Sequence, residues 1–314
     1  MKKIICSAVV AALCVWLAAC GTQTVNSVES PSAVTTMASE EQPERVFVLS
    51  MENQDTDAFM TGVMNAFTDS NAVLETVVCA TESNCKAKLL EVCEEGYDYV
   101  VGMGSEIVDI ITEVASDYPD TEFAIYDAEV LSSNVTGFYV DHTDAYFEAG
   151  VVAANMTKQS EISGINEEIT IGWVGGMNLP IVKIYFTAFE EGAKSVEPEI
   201  QILEQYAGSW DDPENGKKLT EELFALGADV VINVADETGR GVLEAADELG
   251  IYVINMSGNM ESSKSVVVSM EDDMEQIGYH MLKKMLDKNE KKTSSVELTM
   301  EDGCVVLDKE SKAY

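Results

Sequence analysis

From Arg45 onward, short apolar runs alternate with longer segments whose apolar residues recur at helical spacing. The runs predict strands at 45–50, 73–79, 98–102, 122–127, 169–175, 200–206, 229–234, 251–256 and 265–269. The segments between them predict helices at 57–69, 84–95, 105–117, 144–158, 180–195, 213–226, 239–249 and 271–288. Runs such as "DVVINV" are apolar at nearly consecutive positions, which is the pattern of parallel strands covered on both faces. Strand and helix in regular succession describe a doubly wound α/β fold. The roughly 270 residues involved exceed what one such layer encloses, so two Rossmann-like lobes are expected. Near the end, "TMEDGCVV" reads as a small hairpin turning at Asp302-Gly303.

The N-terminus has a different pattern. Lys2 and Lys3 precede an almost wholly apolar stretch from Ile4 to Ala19, which ends in Leu17-Ala18-Ala19-Cys20-Gly21. A charged start, a short apolar run and small residues describe a secretory signal over residues 1–19. Cys20 resembles the lipidated cysteine of bacterial lipoproteins, and an ordinary signal cleaved nearby is the alternative. Residues 20–43 are small and polar with little periodicity, a tether of roughly 25 Å behaving as random coil. No later run is long enough to cross a bilayer, so a body lipid-anchored to the outer face of the cell membrane is expected.

Without the signal the chain keeps 17 of its 19 basic residues against 56 acidic ones, a formal charge of −39. Nucleic acid and anionic lipid surfaces would be repelled. The spacings of Cys79, Cys85, Cys93 and Cys304 match no zinc pattern, and the histidines, His142 and His280, stand far apart in sequence. Cys79 and Cys85 are candidates for a small disulfide loop in an exported protein, and Cys93 fits a core position. Phosphate-loop and nucleophile-elbow motifs are absent. Gly102-Met103-Gly104 is too short for a dinucleotide fingerprint, and "TGRG" at 238–241 fits an anion cradle or a plain helix entrance. Nothing selects an enzyme, a metal or a cofactor.

In doubly wound folds ligands sit at the carboxyl ends of the strands. The candidate loops are therefore 52–59, 103–106, 127–129, 176–180, 208–211, 236–241, 257–259 and 270–272. They bring in Gly104, Asn178 and Trp210. A tryptophan inside "YAGSWDDPENGK" gains most when its face is covered, by the protein or by a ligand.

The blocks "YDYVVGMGSEIVDIITEVASDYPDTEFAIYD", "DAYFEAGVVAANMTK", "IGWVGGMNLP", "YAGSWDDPENGK" and "ADVVINVADETGRGVLEAADELG" follow one another in order. Together they resemble the basic membrane protein family of substrate-binding lipoproteins, which includes purine-nucleoside receptors of ABC importers. The resemblance implies a type I periplasmic-binding architecture, with a small molecule held between two lobes and delivered to a membrane permease. It places lobe 1 at 44–140 plus 270–290 and lobe 2 at 141–269 plus 291–314. It also implies that Trp210 and Phe59 stack on a base from opposite lobes, with Asp55 and Asp127 at its edge. From the residues alone, Asp55 also fits a helix cap, Phe59 a core position, Asp127 a strand-end turn and Trp210 plain packing. The family's ribose-binding aspartate is Ser257 here, and Asp236 and Asp272 put acids where the family has neutral or basic residues. That rewriting points to a nucleoside-like or a cationic, amine-bearing ligand, unless both acids face solvent. A ligand-sensing surface lipoprotein of the same fold, without a transporter, is the alternative role.

Overall fold

The structure is a computed structural model that describes residues 43–51, 55–68, 70, 72–128, 132–257, 263–287 and 294–308. The expected signal, Cys20 and most of the tether lie outside the described residues. The first half of the chain runs β1 (Arg45–Met51), α1 (Thr56–Thr68), β2 (Val73–Cys79), α2 (Glu82–Glu94), β3 (Tyr99–Met103), α3 (Ser105–Val114), β4 (Glu122–Tyr126) and β5 (Val135–Val140). It continues with α4 (Thr143–Thr157), β6 (Thr170–Gly175), α5 (Pro180–Val196), β7 (Gln201–Tyr206), α6 (Pro213–Ala225) and β8 (Val230–Val234). Then come α7 (Gly239–Leu249), β9 (Tyr252–Asn255), β10 (Val266–Asp272), α8 (Met274–Leu286), β11 (Ser295–Leu298) and β12 (Val305–Asp308).

These strands form two six-stranded sheets, ordered β11-β5-β4-β3-β1-β2 and β12-β10-β9-β8-β6-β7. Every neighbouring pair is parallel except β10 with β12. The predicted doubly wound α/β class is therefore what the chain adopts, once in each half. Central strands are apolar because helices cover both faces: Val46, Phe47, Val48 and Leu49 of β1 are wholly buried.

The chain passes between the sheets after β5, after β10 and between β11 and β12. The second passage feeds α8, which lies against α1 of the first sheet. A side chain at Gly62 would meet the Glu275 carbonyl oxygen at 1.8 Å, and one at Gly278 would meet that of Phe59 at 2.3 Å. Only bare glycines permit two helices to approach this closely.

Three expectations from the sequence are corrected. The hairpin at "TMEDGCVV" does not form: β11 pairs with β5 in the first sheet and β12 with β10 in the second. Asp302-Gly303 still turns, at Gly303 φ 79°, but the strands on either side find better partners than each other. By the same pairing β11 leaves the segment 291–314 that was grouped with the second lobe. Strand β10 also runs on to Asp272, because Asp272 pairs with Val305 of β12, so residues 270–272 are strand rather than loop. Strand β5, "VTGFYV", went unpredicted.

Candidate ligand site at the strand ends

The two sheets touch through Asp272. This last residue of β10 receives a hydrogen bond from Tyr126 Oη, at the end of β4, across 3.4 Å. His142, in the first passage between sheets, lies with Nε2 2.8 Å from the other Asp272 oxygen. A carboxylate only accepts, so Nε2 carries the proton and donates. Tyr185 Oη of α5 stands 3.5 Å from His142 Nδ1. The Tyr185 ring in turn stacks on that of Tyr146 in α4, with centroids 4.4 Å apart and planes 9° from parallel. Strand ends and helix starts from both halves of the chain thus converge on one carboxylate.

More acids stand close by. Asp127 follows β4 with φ 56°, and Asp236 follows β8 with φ 45°, the two non-glycine residues of positive φ among those described. An aspartate tolerates this left-handed backbone better than most residues, but both positions are strained. Burial, and then the negative charge of Asp272, raise the Asp127 carboxyl above its ordinary value, against the opposing pull of His142. Burial, and then Glu237, raise that of Asp236. The Tyr126 hydroxyl is driven up by burial and by Asp272, Asp127 and Asp55, so three aspartates lie within electrostatic reach of one phenol. The wholly buried Tyr146 is raised well above its normal value, first by burial and then by Tyr185, Asp236 and Asp272.

After β7 the loop "GSWDDP" is tied down. Trp210 accepts a hydrogen bond on its carbonyl from Thr238 N at 3.0 Å. The Thr238 hydroxyl receives one from Asp212 N at 2.8 Å and donates to the Ser209 carbonyl at 3.1 Å. The indole lies on the backbone of Gly176, where an added Cβ would come within 2.1 Å of the ring. Gly176 directly follows β6, so Trp210 is held half-buried at the strand ends.

The remaining predicted residues divide. Asp55 is half-buried at the entrance of α1, its carbonyl receiving Phe59 N at 3.0 Å. Phe59 itself is a correction. Helix α1 begins at Thr56, which puts Phe59 a turn inside it, wholly buried in the core and packed towards α8. Ser257 stands at the end of β9, but its hydroxyl accepts from Ala235 N at 2.9 Å and Asp236 N at 3.2 Å, so it holds the Asp236 turn. Gly104 opens α3 at φ 109°, and its carbonyl receives Ile107 N. Asn178 is exposed between β6 and α5. Cys79 and Cys85 are free buried thiols rather than a bridge. They contact each other, and burial pushes the Cys85 thiol up to about 12. Sequence reasoning missed Tyr126, His142, Tyr146 and Tyr185. The signal available for two of them was "DHTDAY", which directly follows the unpredicted β5.

Among the described residues no cluster of histidine, cysteine and acids could hold a metal, and no helix is long and apolar enough to cross a membrane.

The family profile described as "ABC transporter substrate-binding protein PnrA-like" matches residues 53–314. The chain belongs to this family. The family's description is that of a substrate-binding protein of ABC transporters. The ABC transporter nucleoside-binding protein BmpA of Lactococcus lactis is 32% identical over 217 residues, which cover 68% of this chain and 56% of that protein. The chain thus spans about half the length of the curated relatives it matches. Among solved structures, a transcriptional activator of the comK gene from Bacillus halodurans superposes with a TM-score of 0.61 at 20% identity, over 86% of this chain and 92% of that one. An ABC transporter solute-binding protein from Aeropyrum pernix gives 0.54 at 21% identity, over 85% and 76%. At those identities the likeness shows the fold, the two-sheet architecture of periplasmic binding proteins.

Proposed function

We propose that this protein is the lipid-anchored, extracytoplasmic solute-binding component of an ABC importer, and that it holds a small nucleoside-like or cationic molecule between its two sheets. The observation that carries the reading is the convergence on Asp272 of Tyr126 from one sheet and His142 from the passage between sheets, at the strand ends where α/β folds bind ligands. Family membership and a relative named as nucleoside-binding support it. Trp210, fixed against Gly176, offers an aromatic face at the strand ends, and the aspartates at other strand ends offer acceptors. Three chain passages between the sheets make a hinge, and closure of such a hinge around a ligand is a two-state signal that a permease can read. Cys20 would carry the lipid.

Two experiments test this. Calorimetry with purine nucleosides should give one site per chain, weakened by Trp210→Ala; an unchanged affinity removes Trp210 from the site. Metabolic labelling with a fatty-acid analogue should mark the full chain and not its Cys20→Ala variant. Labelling of both would place the lipid elsewhere.

A further inference from the structure

Three sulfurs meet at the carboxyl ends of β1 and β2. Met51 ends β1 and Cys79 ends β2, and the two are cross-strand partners in parallel register, so their side chains leave the sheet on the same face. Cys85 reaches them from the first turn of α2. Thr81 pins that turn: its hydroxyl accepts from Asn84 N at 3.3 Å and its carbonyl from Cys85 N at 3.1 Å. The Cys85 thiol donates to Met51 Sδ across 3.6 Å and is hydrogen-bonded with Cys79. Both cysteines are buried, and Met51 is half-buried.

Two buried thiols alone would be core. The third sulfur changes the chemistry, because thiolates with a thioether form a donor set that selects soft ions such as Cu(I) over magnesium, calcium or manganese. Among the described residues no trio of histidine, cysteine and acids could hold a metal, so the thioether is the ligand that completes this one. The spacing fits as well. With metal–sulfur bonds of about 2.3 Å, as thiolates make to zinc, the sulfurs around a trigonal ion stand about 4 Å apart. The Cys85–Met51 separation of 3.6 Å is already close to that. The local field has the right sign for a cation, since the negative charges of Glu106 and Glu82 bear on the Cys85 sulfur. Both acids also line an open cavity of about 550 Å³ between α2 and α3, which reaches α2 at Ser83 and Lys86, beside Cys85. That cavity gives an ion an approach to the sulfurs. We infer that Met51, Cys79 and Cys85 form a binding site for one Cu(I) ion, held by two thiolates and a thioether. The two thiol protons pass to water as the ion enters, and no electron is transferred. The site does not depend on the small-molecule reading above, so either can fail alone.

The test uses the full chain in a background carrying Cys6→Ala, Cys14→Ala and Cys20→Ala, reduced and then freed of reductant without oxygen. It is titrated with Cu(I) in competition with bicinchoninate, and with Zn(II) in a parallel series. The expected result is one Cu(I) per chain withheld from the chelator, with no comparable hold on Zn(II). X-ray absorption of the copper-loaded protein should show three sulfur neighbours. Cys79→Ala and Cys85→Ala should each weaken the hold by more than the roughly 10–100-fold that an outer-shell change costs, and Met51→Leu, which removes the sulfur at similar volume, by about tenfold. Cys93→Ala and Cys304→Ala, which remove buried thiols elsewhere, should leave it unchanged. Thermal unfolding of each variant without metal separates a lost site from a lost fold; where an alanine variant does not fold, Met51→Leu and the absorption spectrum decide. Copper left wholly with the chelator, Zn(II) held as tightly as Cu(I), or a hold that survives in folded Cys85→Ala each overturns the site.

Discussion

His142 Nε2 donates to Asp272 Oδ1 across 2.8 Å and thereby joins two of the three places where the chain passes between its sheets. His142 directly precedes α4, and Asp272 ends β10. The pair is partly solvated, with 18% and 31% of the two side chains exposed, so a hydrogen bond to a charged group is worth less here than in a dry interior. Replacing His142 by Ala should lower stability by about 1 kcal/mol. A fall in ligand affinity should accompany it, because Asp272 loses its orienting donor. Thermal unfolding and calorimetry on the same variant check both; unchanged values for each would make the contact incidental.

Gly176 and Trp210 form the second testable pair. A methyl at position 176 would lie 2.1 Å from the indole and must displace it. Gly176→Ala should weaken ligand binding to about the extent of Trp210→Ala, roughly 1–3 kcal/mol by comparison with base–aromatic stacking. Trp16 and Trp173 are the other tryptophans of the chain, so a Trp16→Phe, Trp173→Phe background isolates the Trp210 emission. Ligand should then change that emission, and a silent Trp210 would argue for packing alone.

Phe59 should behave as core. Its ring has no exposure and sits in the cluster that joins α1 to the first sheet. Phe59→Ala should cost about 3–5 kcal/mol of stability. A stable Phe59→Ala variant with lost binding would return the ring to the ligand site.

Asp302 gives a pH prediction. Its carboxylate receives Thr299 N at 3.1 Å and the Thr299 hydroxyl at 3.2 Å, and Lys284 stands 3.5 Å away. Burial opposes ionisation, but these partners prevail and hold Asp302 below its ordinary value. A depressed carboxyl contributes stability above its unfolded value and loses it as pH falls through the folded one. Acid should therefore destabilise the parent more than Asp302→Asn. Denaturant titrations from neutral to acid pH measure this, and parallel curves would contradict it.

How much of this was legible in the sequence depends on how local each cause is. The strand "RVFVLS" could be read because its burial on both faces demands continuous apolar residues. The Trp210 loop could be read because Gly, Ser, Asp and Pro mark a turn whatever surrounds it. The fate of 299–308 could not: Asp302-Gly303 favours a hairpin locally, while β11 and β12 are claimed by β5 and β10, far away in sequence. Phe59 was misread because its burial is set by packing in a core cluster that also draws on α4, α5 and α8, far away in sequence. The Asp272 cluster depends on residues 130 and 146 positions apart, which no local pattern joins.

The central claim, a small molecule held at the strand ends that carry Asp272 and Trp210, is tested most directly by native mass spectrometry of the protein purified without denaturation. The account predicts one bound small molecule per chain in the parent, and its loss from an Asp272→Asn, Trp210→Ala double variant that still unfolds cooperatively. A parent of bare polypeptide mass that gains no adduct from nucleosides or amines, or a double variant that keeps the ligand, would contradict it.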